Sequence, residues 1–180
     1  MTILKIDSSI TGDNSVSRVL TSRIVEQLKA ADPSATVIER DLVQEPLGHL
    51  TLASFNDQEV LDEFLAVDTV VIGAPMYNFT LPTQLKAWID RILVAGKTFR
   101  YSEEGPEGLA GGKRVIIAVS RGGFYEEGNA MEHLETYLRS TLGFIGITPE
   151  FVHADGINYG PEQREAGIAN GFQEAERLAA

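Results

Sequence analysis

Short apolar runs recur along the whole chain, at residues 3–6, 36–39, 69–73, 115–119 and 150–152. Two of them, Val70-Val71-Ile72 and Val115-Ile116-Ile117-Ala118-Val119, have no polar position at all. Unbroken Val/Ile runs of this length predict strands covered on both faces, as in parallel sheets. The segments between the runs have helical spacing instead. Val16, Val19, Leu20, Ile24 and Leu28 fall on one helix face, and so do Leu85, Trp88, Ile89, Ile92 and Leu93, shortly after Pro82. Further stripes are Val60/Leu61/Phe64/Leu65, Met131/Leu134/Leu138/Leu142 and Ile168/Phe172/Ala175.

Five strands alternating with five helices predict an α/β fold. The expected architecture is a doubly wound five-stranded parallel sheet of order 2-1-3-4-5, with helices on both faces and ligands at the carboxyl ends of strands one and three. Residues 1–180 contain no repeat, low-complexity tract or linker, so a single domain is expected. The stretch 105–112, with Pro106 among four glycines, is expected to be a long flexible loop.

Composition narrows the function. Carboxylates outnumber bases 26 to 15 in 180 residues, a net charge of −11. Such a surface repels phosphate backbones and anionic bilayers, which argues against nucleic-acid or membrane partners. The chain has no cysteine, so disulfides, thiolate metal sites and thiol catalysis are excluded. The longest uncharged stretch, 69–85, is broken by two prolines, Asn78 and Gln84, and is no membrane span. No targeting segment is evident, and a cytoplasmic protein is expected.

Ligand chemistry at such a sheet belongs to the loops after the strands. The first, Asp7-Ser8-Ser9-Ile10-Thr11-Gly12-Asp13-Asn14-Ser15-Val16-Ser17, is dense in hydroxyls and opens a helix. It suits a phosphate at the helix N-terminus, although Ser15 or Ser17 serves equally well as a simple N-cap. Neither G-x-G-x-x-G nor G-x-x-x-x-G-K-[ST] is present. After strand three comes Ala74-Pro75-Met76-Tyr77-Asn78-Phe79, and after strand four Ser120-Arg121-Gly122-Gly123-Phe124-Tyr125. Tyr77, Phe79, Phe99, Tyr101, Phe124, Tyr125 and Tyr159 all fall in expected loops. Aromatic loops need a cover: a ligand, a partner subunit or both. His49, His133 and His153 lack metal-ligand spacing, and no metal site is expected. Glu126-Glu127 suits a solvated face, and no G-x-S-x-G elbow is present.

Together these loops resemble those of the FMN-dependent NADH:quinone oxidoreductases and azoreductases, a bacterial family with a flavodoxin-like fold. The resemblance is carried by Ser8-Ser9-Ile10, Ser15-Val16-Ser17, Ala74-Pro75-Met76-Tyr77-Asn78-Phe79, Thr83-Gln84-Leu85-Lys86, Thr98-Phe99-Arg100-Tyr101, Gly105-Pro106-Glu107-Gly108-Leu109, Ser120-Arg121-Gly122-Gly123 and Gly143-Phe144-Ile145-Gly146-Ile147, and runs almost end to end. It implies one non-covalent FMN per subunit. Ser9, Ser15, Val16 and Ser17 would hold its phosphate. Met76, Tyr77, Asn78, Phe79, Ser120, Arg121, Gly122 and Gly123 would hold its ring system. Asn78, Tyr101 and Phe144 would belong to the substrate pocket, which in the family is finished by the second subunit of a homodimer. The segment 43–54 is shorter than in some members, which alters the pocket rim.

The activity so implied is NADH- or NADPH-dependent reduction of quinones and azo compounds, by ping-pong hydride transfer through flavin N5. The flavin carries the chemistry and no catalytic side chain is required. The alternative is a flavodoxin-type electron carrier without nicotinamide activity.

Overall fold

The computed structural model describes residues 1–126 and 128–179; Glu127 of the acidic pair and Ala180 lie outside the described residues. The chain runs β1 (Thr2–Asp7), α1 (Val16–Ala31), β2 (Thr36–Asp41), α2 (Glu59–Ala66), β3 (Thr69–Pro75), α3 (Thr83–Ile92), β4 (Phe99–Ser102), β5 (Gly105–Gly108), β6 (Arg114–Ser120), α4 (Leu134–Phe144), β7 (Glu150–Ala154) and α5 (Pro161–Ala179).

Five strands form one parallel sheet of order β2-β1-β3-β6-β7. By chain position this order is 2-1-3-6-7, not the expected 2-1-3-4-5. The difference is the antiparallel hairpin β4–β5, whose strands take the fourth and fifth positions without joining the sheet. The stretch expected as a flexible loop thus contributes a paired strand, and Phe99 and Tyr101 lie on its partner rather than in a loop. Glycine is what allows it: a Cβ on Gly108 would lie 2.1 Å from the backbone nitrogen of Gly146, so only a bare backbone can pass there.

β3 is buried at every position, and β6 at all but its first residue. That is the both-faces burial the Val/Ile runs predict. Alternate residues feed two cores. Leu4, Ile6, Val70, Ile72, Val115, Ile117 and Val119 pack with Phe64 of α2, Trp88 of α3 and Leu138 of α4. Ile3, Val71, Ile116, Ala118 and Val152 pack with Leu20, Ile24 and Leu28 of α1 and Ala175 of α5. Trp88 is fully buried and meets Phe64 edge to face, at 5.8 Å between ring centroids. The helix containing Leu134 begins only there, so Met131, expected on its stripe, lies in the preceding turn and is exposed. Among the described residues no helix is long and apolar enough to cross a membrane.

Candidate functional site

The carboxyl ends of β1, β3 and β6 open into one cleft of about 470 Å³. This is within the roughly 300–1,000 Å³ typical of cofactor sites. Its lining is Ser9, Thr11, Asn14, Ser15 and Val16 at one end, Pro75, Met76, Tyr77, Ser120 and Gly122 along the sheet, and Ile157, Asn158 and Arg164 from the far side.

The first wall is built by the helix start. Ser15 is the N-cap of α1, in extended conformation, and its Oγ accepts the N–H of Arg18 at 3.2 Å. The N–H groups of Val16 and Ser17, in the first turn, have no intrahelical acceptor. Ser17 is fully buried behind Ser15, with 3.1 Å between the two hydroxyl oxygens, and it does not line the cleft. Arg18 anchors the same loop to β2. Its guanidinium donates to both carboxylate oxygens of Asp41, at 2.6 and 2.9 Å, and to Ser9 O at 3.0 Å. These bonds hold the Asp41 carboxyl below the usual range despite its partial burial.

The second wall is a tight turn. Tyr77 and Thr80 exchange backbone hydrogen bonds, and Asn78 (φ 48°) and Phe79 (φ 70°) both lie in the left-handed region. Asparagine visits this region readily; phenylalanine does so only under constraint, and such strain concentrates at ligand sites. The constraint is visible: Phe79 O accepts the N–H of His133 at 3.0 Å. The N–H groups of Asn78 and Phe79 engage no acceptor among the described residues.

The third wall is the loop after β6, laced to the chain after β7. Arg121 N–H donates to Ala154 O at 2.9 Å, Ile157 N–H to Arg121 O and Asn158 N–H to Gly122 O at 3.2 Å each, and Gly156 N–H to Gly123 O at 3.0 Å. A Cβ on Gly122 would come within 2.4 Å of Asn158 Nδ2. Arg121 points away from the cleft. It is buried, forks onto Asp155 at 2.6 and 2.7 Å, and reaches Glu135 at 3.3 Å. Glu135 also meets Nε2 of His153 at 2.6 Å, while Glu174 meets Nδ1 at 3.1 Å. Burial alone would lower the pKa of His153, but the two carboxylates outweigh it and hold the imidazole at about 9.

Of the residues expected at the site, Ser9, Ser15, Val16, Met76, Tyr77, Ser120 and Gly122 are brought together in the cleft lining. Ser17, Asn78, Phe79, Arg121 and Gly123 flank it in sequence without lining it. Tyr101 and Phe144 do not line the cleft; both pack against Phe99, at ring distances of 5.7 and 4.7 Å. Sequence reasoning missed Ile157, Asn158 and Arg164. Nothing in their local pattern marks them; only the pairing of β7 with β6 brings their segment to the cleft.

The flavodoxin-like fold family (Flavodoxin_2) matches residues 1–179. The FMN-dependent NADH:quinone oxidoreductase 2 of Bradyrhizobium diazoefficiens is 55% identical over 201 residues, covering 100% of both chains. The FMN-dependent NADH:quinone oxidoreductase of Sinorhizobium fredii is 54% identical, covering 100% of this chain and 96% of that relative. Among solved structures, the azoreductase from Bacillus anthracis str. Sterne superposes with a TM-score of 0.90 at 33% identity, over 99% of this chain and 98% of that one. With its parallel β2-β1-β3-β6-β7 sheet and its hydroxyl-lined cleft, the chain belongs to the flavodoxin-like family of FMN-dependent NADH:quinone oxidoreductases and azoreductases.

Proposed function

We propose that the cleft binds FMN and that the chain, one doubly wound domain over residues 1–180, uses NADH or NADPH to reduce quinones and azo compounds. The observation that carries this is the cleft itself: hydroxyls and a helix start at one end, Met76, Tyr77 and a bare glycine backbone along the other.

The residues present fit the cofactor. Its phosphate needs donors, which Ser9, Thr11 and Ser15 supply through hydroxyls, and Val16 and Ser17 through first-turn N–H groups. Ser17 supports Ser15 from behind. Its ring needs a flat apolar wall with donors at the edge. Met76, Tyr77, Ser120 and Gly122 line that part of the cleft, and the unengaged N–H groups of Asn78 and Phe79 are available to negative charge. FMN, if bound there, would supply the two-electron redox chemistry between nicotinamide and acceptor. The protein positions and desolvates, and no side chain has to act as a nucleophile. Arg121 serves as a strut that holds residues 120–123 in place through Asp155 and Glu135.

The same proposal includes a two-fold homodimer in a cytoplasmic setting. Phe79, Tyr101, Phe124 and Tyr159 are 42%, 73%, 57% and 70% exposed, which is apolar surface that an isologous contact would cover. Tyr101 and Phe144, which do not line their own cleft, would then finish the pocket of the second subunit. The electron-carrier alternative is set aside, because the full-length relatives are oxidoreductases by name.

The test is an absorption spectrum of the purified chain with and without added FMN, then a NADH–quinone assay. A flavin spectrum, and parallel double-reciprocal lines as acceptor concentration is varied, are expected. A chain that takes up no FMN sinks the reading. A chain that takes up FMN but leaves NADH unoxidised with quinone present rejects the enzyme assignment alone.

A further inference from the structure

Arg164, in the first turn of α5, is the one charged residue among those lining the cleft. It lies there with Thr11, Asn14 and Ser15, at the hydroxyl-rich end. Its Nη2 donates to Asn14 O at 2.5 Å, across 150 residues of sequence. That bond occupies one of the five N–H donors of a guanidinium.

Other arginines around the site have carboxylate partners. Arg18 is paired with Asp41, and Arg121 with Asp155 and Glu135. Among the described residues Arg164 makes no such pair, in a chain where acids outnumber bases 26 to 15. Its position is also electrostatically awkward. A cation in the first turn of a helix faces the positive end of the macrodipole. The start of α1, with Ser15 at its cap, borders the same end of the cleft. The start of α1 and a guanidinium without a carboxylate partner among the described residues therefore meet at this end of the cleft, with Asp13 before α1 and Glu162 in the first turn of α5 as the acids beside them in sequence.

We infer that Arg164 is a phosphate-binding residue, forking onto the FMN phosphate from the side opposite Ser9 and Ser15. This rests on the FMN reading above. The single bond to Asn14 O holds the guanidinium at the cleft mouth, with its remaining donors available to a dianion. Its contribution is to the phosphate alone, so it discriminates FMN from riboflavin.

The experiment titrates the full-length chain, freed of flavin, with FMN and separately with riboflavin, following flavin fluorescence. Circular dichroism checks that each variant folds. For Arg164→Gln, FMN affinity is expected to fall about 10–100-fold, the range of a charge-assisted hydrogen bond. Riboflavin affinity should not change. The salt dependence of FMN binding should flatten as well, because a charge pair has been removed. Arg164→Met keeps the packing of the stem and should give the same change in ratio, so it decides the matter if the glutamine variant folds poorly. An unchanged FMN-to-riboflavin ratio overturns the inference. So does an equal loss of both ligands, which would make Arg164 merely a pin for Asn14. If the wild-type chain itself shows no preference for FMN over riboflavin, the cofactor reading falls together with it.

Discussion

The phenolic oxygen of Tyr77 lies 3.1 Å from the Oγ of Ser9 and accepts the N–H of Ile10 at 3.2 Å. One side chain from the loop after β3 thereby ties down the loop after β1, and the two walls of the cleft are set at a fixed separation. Ser9 is almost fully buried, and its hydroxyl also meets Thr11 at 3.0 Å, so the chain's own bonds orient the hydroxyl cluster. Preorganisation of this kind lowers the cost of binding.

Tyr77→Phe removes that tie and little else. About 1 kcal/mol of loop order should be lost, the usual net worth of a hydrogen bond, which corresponds to FMN binding weaker by roughly fivefold. Titration of the flavin-free chain measures it. Equal FMN affinity in the variant would show that the loops hold their separation without the phenol.

Ser15 and Ser17 have separable roles. Replacing both with alanine removes a helix cap, worth about 1 kcal/mol of stability, together with the Ser15 hydroxyl that lines the cleft and the Ser17 hydroxyl behind it. FMN affinity should fall by about one to three orders of magnitude, at roughly 1.5–3 kcal/mol for each bond to a charged group. NADH–quinone activity should largely return at saturating FMN, since the phosphate end lies far from the reacting ring. A lowered melting temperature with unchanged FMN affinity would reduce the serines to caps.

His153 gives the chain an alkaline weakness. Its imidazole faces Glu135 on α4 and Glu174 on α5; Arg121 and Arg139 share Glu135, and Asn170 bonds Glu174. The folded pKa of about 9 lies above the ordinary 6.5. The resulting stabilisation is complete below about pH 6.5 and is lost as pH rises through about 9. Its size is on the order of 1–3 kcal/mol after solvent screening is allowed for. Melting temperatures followed from about pH 6 to about pH 10 should fall for the wild type and fall less for His153→Gln. Parallel curves would assign the alkaline loss to other groups.

Gly108→Ala tests the hairpin. The added methyl would meet backbone atoms of Ile145 and Gly146 at 2.2 Å or less, where no side chain can give way. Destabilisation of about 3 kcal/mol is expected, with β5 displaced from the end of α4. Thermal unfolding reads it, and a variant as stable as the wild type would mean that the hairpin shifts freely.

Much of this molecule is legible from one dimension. β3 and β6 follow from unbroken Val/Ile runs, α1 and α3 from apolar stripes, and the hydroxyl-rich end of the cleft from hydroxyls crowded within residues 8–17. Each is a local property: periodicity states which face of an element avoids water, and a cap lies beside the helix it starts. The remainder depends on what the sheet brings together. The stretch 105–112 looks flexible because its glycines and proline are uninformative alone; Gly108 acquires its role only against Gly146, 38 positions away. Arg121 stands in a ligand-loop motif, yet Asp155 and Glu135 turn its side chain elsewhere. Arg164 reaches Asn14 and the cleft because β7 pairs with β6 and returns the start of α5 to the opening of α1. Spacing encodes burial, but a charged side chain is directed by its nearest opposite charge or free carbonyl, and parallel crossovers determine which of these is near.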